Sequence, residues 1–134
     1  MSSLPTKRSV VLVDDDRDIV RVLESALESN NYQVHGFDNP VEAKEYLKSV
    51  DSPQLLISDI RMPGMSGFEL VHEANKVHPE MKIMMLTSFE INKSEFDSVF
   101  PSCRIDVLIN KPVGIARFID AVNAVMVHER ILER

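Results

Sequence analysis

Residues 55–67 read LLISDIRMPGMSG, and this stretch holds the features from which the fold can be predicted. Three apolar side chains and a serine lead into one carboxylate, Asp59, which is the pattern of a short buried strand with a polar residue at its end. The letters MPG predict a turn, and Ser66 followed by Glu69 matches the capping box that begins a helix. The stretch is therefore interpreted as a strand, a turn and the start of a helix.

The same alternation of strand and helix patterns runs through the whole chain. Short apolar runs predict strands over residues 9–14, 32–37, 54–58, 81–87 and 105–110. Apolar residues at helical spacing predict helices over residues 18–29, 39–50, 66–77, 91–100 and from about residue 114 towards the C-terminus. Strand-then-helix units without a break predict one α/β domain, a doubly wound five-stranded parallel sheet with helices on both faces.

The composition narrows the class of protein. The 134 residues are 44% hydrophobic and 27% charged, which fits an ordinary globular domain rather than a disordered chain. No apolar run reaches the length of a membrane span, the N-terminus lacks a secretory pattern, and the single cysteine, Cys103, favours a reducing cytoplasm. The net charge of −6 and the absence of a basic tract argue against direct contact with nucleic acid.

Polar side chains follow four of the predicted strands directly. Asp14 and Asp15 follow the first strand, Asp59 the third, Thr87 ends the fourth, and Lys111 follows the fifth. Each of these residues alone has an ordinary explanation as a helix cap, a turn residue or a solvated loop lysine. The carboxyl ends of parallel strands meet at one edge of the sheet, however, so their combination predicts a binding site there.

The residue types at this edge favour a hard metal ion and a phosphoryl group. Three crowded carboxylates repel one another, and a divalent cation resolves that repulsion. Oxygen ligands without His or Cys select Mg²⁺ before Ca²⁺, and the histidines show no metal-binding spacing. Lys111 supplies a positive charge for phosphoryl oxygens, Thr87 supplies a hydrogen-bond donor, and a carboxylate such as Asp59 can itself accept a phosphoryl group.

The sequence resembles the receiver domain of two-component response regulators. The resemblance extends over about residues 10–127 and rests on VLVDDD, LLISDIRMPGMSG, IMMLTS and NKPV, in this order. It implies the flavodoxin-like (βα)5 receiver fold, with the strand order 2-1-3-4-5. We accordingly expect a receiver domain over residues 9–132, preceded by an N-terminal tail of residues 1–8.

The resemblance also implies a role for each residue at the edge. Asp59 is the phosphoacceptor, Lys111 pairs with the phosphoryl group, and Thr87 moves to hydrogen-bond it. The Lys111–Pro112 peptide is expected to be cis. The implied Mg²⁺ ligands are Asp14, Asp15, Asp59 and the backbone carbonyl of Arg61.

The implied function is signalling in a phosphorelay rather than metabolism, so the chain is expected to catalyse only its own phosphorylation and dephosphorylation. The implied donor is a sensor histidine kinase or a phosphotransfer protein. Phosphorylation is expected to change the surface formed by strand four, the predicted helix over residues 91–100 and strand five. This change is expected to control an output domain or a downstream protein. The face formed by residues 91–100, strand five and the last helix is a possible homodimer contact. The chain is either a complete regulator or the receiver part of a longer protein.

The pattern departs from the family at Leu108, where an aromatic residue is common. We expect Leu108 to stay packed, with Phe89 as an alternative reporter of phosphorylation and as a shield of the acceptor. Three rival functions remain: a pseudo-receiver that does not signal by phosphorylation, a flavin- or nucleotide-binding module, and a phosphatase of the haloacid dehalogenase type. The acidic loop after strand one argues against the second, and Arg61, where the third needs an acid, argues against the third.

Overall fold

The structure, a computed structural model, describes residues 8–88 and 104–127. Its strands are β1 (Arg8–Val13), β2 (Tyr32–Phe37), β3 (Leu55–Asp59), β4 (Lys82–Thr87) and β5 (Val107–Asn110). Its helices are α1 (Arg17–Ser29), α2 (Pro40–Ser49), α3 (Gly67–Val77) and α4 (Ile115–Val127). The predicted helix over residues 91–100, together with Phe89, Cys103 and His128, lies outside the described residues.

The strands form one five-stranded sheet in the order β2-β1-β3-β4-β5, and every neighbouring pair is parallel. This confirms the predicted sheet and its strand order. Two apolar cores flank it, one on each face: α1 and α4 pack on one face, and α2 and α3 pack on the other. The central strand β3 is buried along its whole length, which explains why its sequence is almost continuously apolar.

Local sequence determines where three helices begin. The side chain of Asp16 accepts hydrogen bonds from the backbone N–H groups of Asp18 and Ile19 at the start of α1, as an N-cap does. Asn39 caps α2 in the same way, and Ser66 forms the predicted capping box with Glu69 at the start of α3. All three helices therefore begin close to the carboxyl edge of the sheet, where the predicted site lies.

The structure corrects several predictions about strands and side chains. Strand and helix ends differ from the predicted ends by one or two residues; β3, for example, extends to Asp59. The expectation that Leu108 is packed is wrong, because this side chain is 39% exposed. Val107 and Ile109 pack against the core under α1 and α4, and the alternation along the edge strand β5 turns Leu108 to the opposite face. Helical spacing predicts Ile115 on the apolar stripe of the last helix, but this side chain is also exposed.

Among residues 8–88 and 104–127, no helix combines the length and the hydropathy that crossing a membrane requires.

Candidate functional site

Four of the predicted site residues lie at the carboxyl ends of neighbouring strands. Asp14 follows β1, Asp59 ends β3, Thr87 ends β4, and Lys111 follows β5. The strand register aligns these ends, because Asp59 pairs with Leu86, the residue before Thr87, and Thr87 pairs with Asn110, the residue before Lys111. Asp14, Asp59 and Thr87 are all buried, although each carries a polar side chain. The parallel sheet thus brings residues that are distant in sequence to one edge.

Lys111 connects two of the carboxylates. Its Nζ donates to Oδ2 of Asp14 at 2.6 Å and lies 3.3 Å from Oδ2 of Asp59. The backbone N–H of Lys111 donates to the carbonyl of Thr87 at 2.6 Å, which continues the ladder between β4 and β5. The Lys111–Pro112 peptide bond is cis, as predicted. The ammonium group is mostly buried, so its charge acts on both carboxylates with little screening by water.

The other oxygen of Asp59 is held by the backbone. Oδ1 accepts a hydrogen bond of 2.7 Å from the N–H of Ile60, the next residue. The same N–H lies 3.1 Å from the carbonyl oxygen of Leu86 in β4, so it is shared between two acceptors. One carboxylate oxygen of Asp59 therefore faces the backbone, and the other faces Lys111.

The three carboxylates expected to bind metal lie together. One oxygen from each of Asp14, Asp15 and Asp59 lies within 4.8 Å of the other two, which is close enough to share one cation directly or through its waters. Asp14 is fixed by its own neighbours, since Oδ1 accepts from the N–H of Asp16 at 2.9 Å. Asp15 is exposed and gives the cluster an open side. The donor set is all oxygen, which suits a hard divalent cation such as Mg²⁺.

Burial and neighbouring charges shift the pKa values of Asp59 and Lys111. Burial raises the pKa of Asp59 above its ordinary value of 3.8, and the nearby Asp14 raises it further, whereas Lys111 and the Ile60 N–H lower it in part. Burial alone would lower the pKa of Lys111. The hydrogen bond and charge of Asp14, with a smaller contribution from Asp59, outweigh burial and raise the pKa of Lys111. The edge therefore holds a firmly charged ammonium beside a carboxylate that is costly to ionise without further positive charge.

The roles predicted for Arg61 and Thr87 remain predictions, and the described histidines lie outside the carboxylate cluster. Arg61 is exposed in the loop after β3, and the binding of metal by its carbonyl remains a prediction. The movement of Thr87 also remains a prediction. Of the described histidines, none belongs to the carboxylate cluster; His35 stacks near Tyr46 with ring centroids 4.9 Å apart, and His78 Nε2 lies 2.6 Å from the carbonyl oxygen of Leu47.

Sequence reasoning missed two contributors to the geometry around Asp59. The N–H of Ile60 cannot be recognised from residue type, because any residue but proline offers it. Ser58 could have been noticed, because a hydroxyl interrupts an otherwise apolar strand, and in the structure this side chain is fully buried.

Comparisons with known proteins agree with the geometry. A family described as the response regulator receiver domain matches residues 10–123. The response regulator receiver protein CpdR of Brucella abortus (strain 2308) is 33% identical over 120 residues, which cover 90% of this chain and 98% of CpdR. The DNA-binding transcriptional regulator NtrC of Escherichia coli (strain K12) is 40% identical over 83 residues, covering 61% of this chain and 18% of NtrC.

A solved structure gives the same picture at the level of the fold. The response regulator receiver domain protein (CheY-like) from Methanospirillum hungatei JF-1 superposes with a TM-score of 0.80 and 25% identity, covering 88% of this chain and 92% of that one. The chain spans nearly the whole of CpdR but less than a fifth of NtrC, so the DNA-binding activity named for NtrC is not carried over from the match.

Proposed function

This chain belongs to the response regulator receiver domain family of two-component systems, and from that premise we propose that Asp59 is its phosphoacceptor. The observation that carries the proposal is the pair of contacts made by Lys111. A mostly buried ammonium lies 2.6 Å from Asp14 and 3.3 Å from Asp59, and one such charge leaves the three carboxylates an excess of negative charge that a metal ion can neutralise. The ammonium and the metal ion together could then hold the oxygens of a phosphoryl group.

The proposed reaction is an in-line transfer to the Asp59 carboxylate. A carboxylate oxygen attacks the phosphorus of a phosphohistidine on a sensor histidine kinase or phosphotransfer protein. The new O–P bond forms as the P–N bond breaks, and the imidazole leaves with the bonding electron pair and takes up a proton. Loss of the phosphoryl group follows when water attacks phosphorus and releases inorganic phosphate. In this scheme the chain acts on itself alone, as a signalling domain does.

Asp14, Asp15 and Asp59, with the backbone carbonyl of Arg61, are the proposed Mg²⁺ ligands. The donor set supports this assignment, because three carboxylate oxygens lie together at the edge and Asp15 is open to solvent. When bound, Mg²⁺ supplies positive charge that neutralises the oxygens of the transferring phosphoryl group. The same charge would offset the cost of ionising the buried Asp59.

Lys111 and Thr87 complete the proposed site. The ammonium of Lys111 can exchange its contact with Asp59 for one with a phosphoryl oxygen while its shorter bond to Asp14 holds the side chain in place. Thr87 is buried at the end of β4, and we propose that its hydroxyl turns to hydrogen-bond the phosphoryl group. The backbone of Thr87 is bonded to Lys111, so the two responses would be coupled.

The proposed output is a change at the surface of β4, the predicted helix over residues 91–100 and β5. Leu108 supports a role for β5, because it is the exposed large apolar residue of that strand. Through this surface and α4 the domain would meet an output domain, a downstream protein or a second copy of itself. We also propose a cytoplasmic location, a receiver domain over residues 9–132 and an N-terminal tail of residues 1–8, the last of which, Arg8, is also the first residue of β1.

The test is incubation with a small phosphodonor, such as acetyl phosphate, and Mg²⁺, followed by intact-mass analysis. The proposal expects a mass gain of one phosphoryl group in the wild type and none in Asp59→Asn or in the presence of EDTA. No gain in the wild type, under conditions that label a known receiver, would favour a pseudo-receiver instead.

A further inference from the structure

One buried polar side chain is not used in the proposed reaction. Among the described residues the buried polar or charged side chains are Asp14, Ser58, Asp59 and Thr87. All of these except Ser58 are part of the proposed site. Burying a hydroxyl costs free energy unless it is hydrogen-bonded, so the presence of Ser58 in the core requires a reason.

The surroundings of Ser58 are apolar. Its neighbours across the sheet are Val13 in β1 and Met85 in β4, both buried in the core under α2 and α3. An apolar side chain would therefore be expected at this position. The hydroxyl of Ser58 instead donates a hydrogen bond of 2.8 Å to the backbone carbonyl of Asp59.

The same carbonyl lies directly against Gly67, the first residue of α3. A Cβ added at Gly67 would lie 2.1 Å from the carbonyl oxygen of Asp59 and 2.9 Å from Cα of Ile60, distances that side chains do not tolerate against backbone. The N–H of Gly67 also donates to the carbonyl of Ile60 at 2.7 Å. The Asp59 carbonyl therefore has room only because residue 67 has no side chain.

These contacts bear on the reacting carboxylate because a peptide group is planar. When the carbonyl of Asp59 is held in one direction, the N–H of Ile60 must point in the opposite direction. That N–H is the donor to Oδ1 of Asp59 at 2.7 Å. The orientation of this peptide thus holds one carboxylate oxygen of Asp59 against the backbone and leaves the other, Oδ2, facing Lys111.

We propose that Ser58 and Gly67 are positioning residues that orient the Asp59–Ile60 peptide and, through its N–H, the carboxylate of Asp59. This inference rests on the proposed function of Asp59 as acceptor. A nucleophile with a less restricted rotamer spends less time in the geometry for attack, so loss of this control lowers the maximal rate of phosphorylation more than it affects binding of the donor.

A matched pair of variants separates positioning from packing. Ser58→Thr keeps the hydroxyl. Ser58→Val introduces a side chain of nearly the same shape as threonine that lacks the hydroxyl. We expect Ser58→Val to fold, by urea unfolding, and to be phosphorylated about fivefold more slowly at saturating donor and Mg²⁺, an effect in the range of one hydrogen bond. The half-saturating concentration of acetyl phosphate should stay unchanged. Ser58→Thr should stay within about twofold of the wild-type rate, because its hydroxyl can make the same bond.

A spectroscopic measurement on the metal-free protein tests the peptide itself. The amide proton of Ile60 donates a short bond to a carboxylate, so its NMR signal should lie downfield in the wild type and in Ser58→Thr and should move upfield in Ser58→Val. Gly67→Ala should also move this signal. Gly114→Ala is its control, because a Cβ at Gly114 meets nothing within 4 Å.

Two outcomes of these experiments are distinct. An Ile60 amide signal and a maximal rate that are the same in Ser58→Val as in the wild type would overturn the positioning role. Absence of phosphorylation in the wild type would overturn Asp59 as acceptor, and with it the catalytic consequence, whereas the Ile60 signal would still decide whether Ser58 and Gly67 orient the peptide.

Discussion

At the scale of single residues, the site depends on how one ammonium is divided between two carboxylates. Lys111 lies closer to Asp14 than to Asp59, and both bonds use the Oδ2 atoms. The position of Lys111 at the edge could be predicted because the residue follows a strand. Its preference for Asp14 could not, because that preference depends on distances between residues that are 97 positions apart in the chain.

Replacement of Lys111 by methionine should move metal binding and phosphorylation in opposite directions. Removal of a positive charge beside three carboxylates should strengthen Mg²⁺ binding by about tenfold, because the cation no longer competes with the ammonium. Phosphorylation should slow at least about tenfold, because the transferring group loses a charged donor. Calorimetric titration with Mg²⁺ and the rate of mass gain with acetyl phosphate measure the two effects.

Lys48→Met is the matched control, because Lys48 is exposed and forms a long surface ion pair with Glu45, with an N–O distance of 3.5 Å. It should leave Mg²⁺ affinity and phosphorylation at wild-type values. Weaker Mg²⁺ binding in Lys111→Met than in the wild type would contradict this account of the charge balance.

At the scale of elements, the helix starts were the most predictable features. The Ser66–Glu69 capping box was predicted because a cap is a local pattern of residue types that does not depend on the rest of the chain, and Asp16 and Asn39 are caps of the same local kind. The exposure of Leu108 was not predictable, because it depends on which face of β5 meets the core. The close approach of Gly67 to the carbonyl of Asp59 was not predictable either, because a glycine in sequence does not reveal the backbone that lies against it in the fold.

The capping box of α3 should contribute measurably to stability. Ser66→Ala removes the acceptor of the Glu69 N–H, a bond of 3.2 Å, and should lower the free energy of unfolding by about 1 kcal/mol. Ser25→Ala, at an exposed position within α1, should change it by less than about 0.5 kcal/mol. Urea unfolding of both variants gives the comparison, and equal stabilities would show that the box contributes nothing.

At the scale of the whole molecule, the strand–helix alternation was sufficient to predict the layered fold, and the residues at strand ends were sufficient to predict that Asp14, Asp59, Thr87 and Lys111 meet at one edge of the sheet. What the sequence could not supply was the cost of that site to the folded state. The sheet places Asp14 and Asp59 in buried positions beside one lysine. The charge of this cluster is incompletely neutralised, so the cluster lowers the free energy of unfolding of the domain.

This cost predicts how stability depends on pH in the absence of metal. Burial raises the pKa of Asp59, so the folded protein retains a proton there at a pH where the unfolded chain has lost it. The stability associated with that proton is fully present below the unfolded value of 3.8 and is progressively lost as pH rises from 3.8 through the folded pKa. Lys111 does not offset this trend near neutral pH, because its raised pKa leaves it charged there.

Asp59→Asn should therefore stabilise the metal-free protein at pH 7.5 by about 1 kcal/mol, and the gain should shrink as pH is lowered. Urea unfolding from pH 4 to pH 8 with EDTA measures both. Asp51→Asn, at an exposed position, is the matched control. A lower stability of Asp59→Asn than of the wild type at pH 7.5 would mean that the Asp59 carboxylate stabilises the fold even without metal.

Asp59, rather than Asp14, Asp15 or Asp16 nearby, is the proposed acceptor of the phosphoryl group. Reduction of the phosphorylated protein with borohydride converts an aspartyl phosphate to homoserine, and peptide mass mapping then locates the converted residue. We predict homoserine at position 59 and unmodified aspartate at positions 14, 15 and 16, and we predict this conversion only after incubation with Mg²⁺ and a phosphodonor. Homoserine at any of those three positions, with Asp59 unchanged, would contradict it.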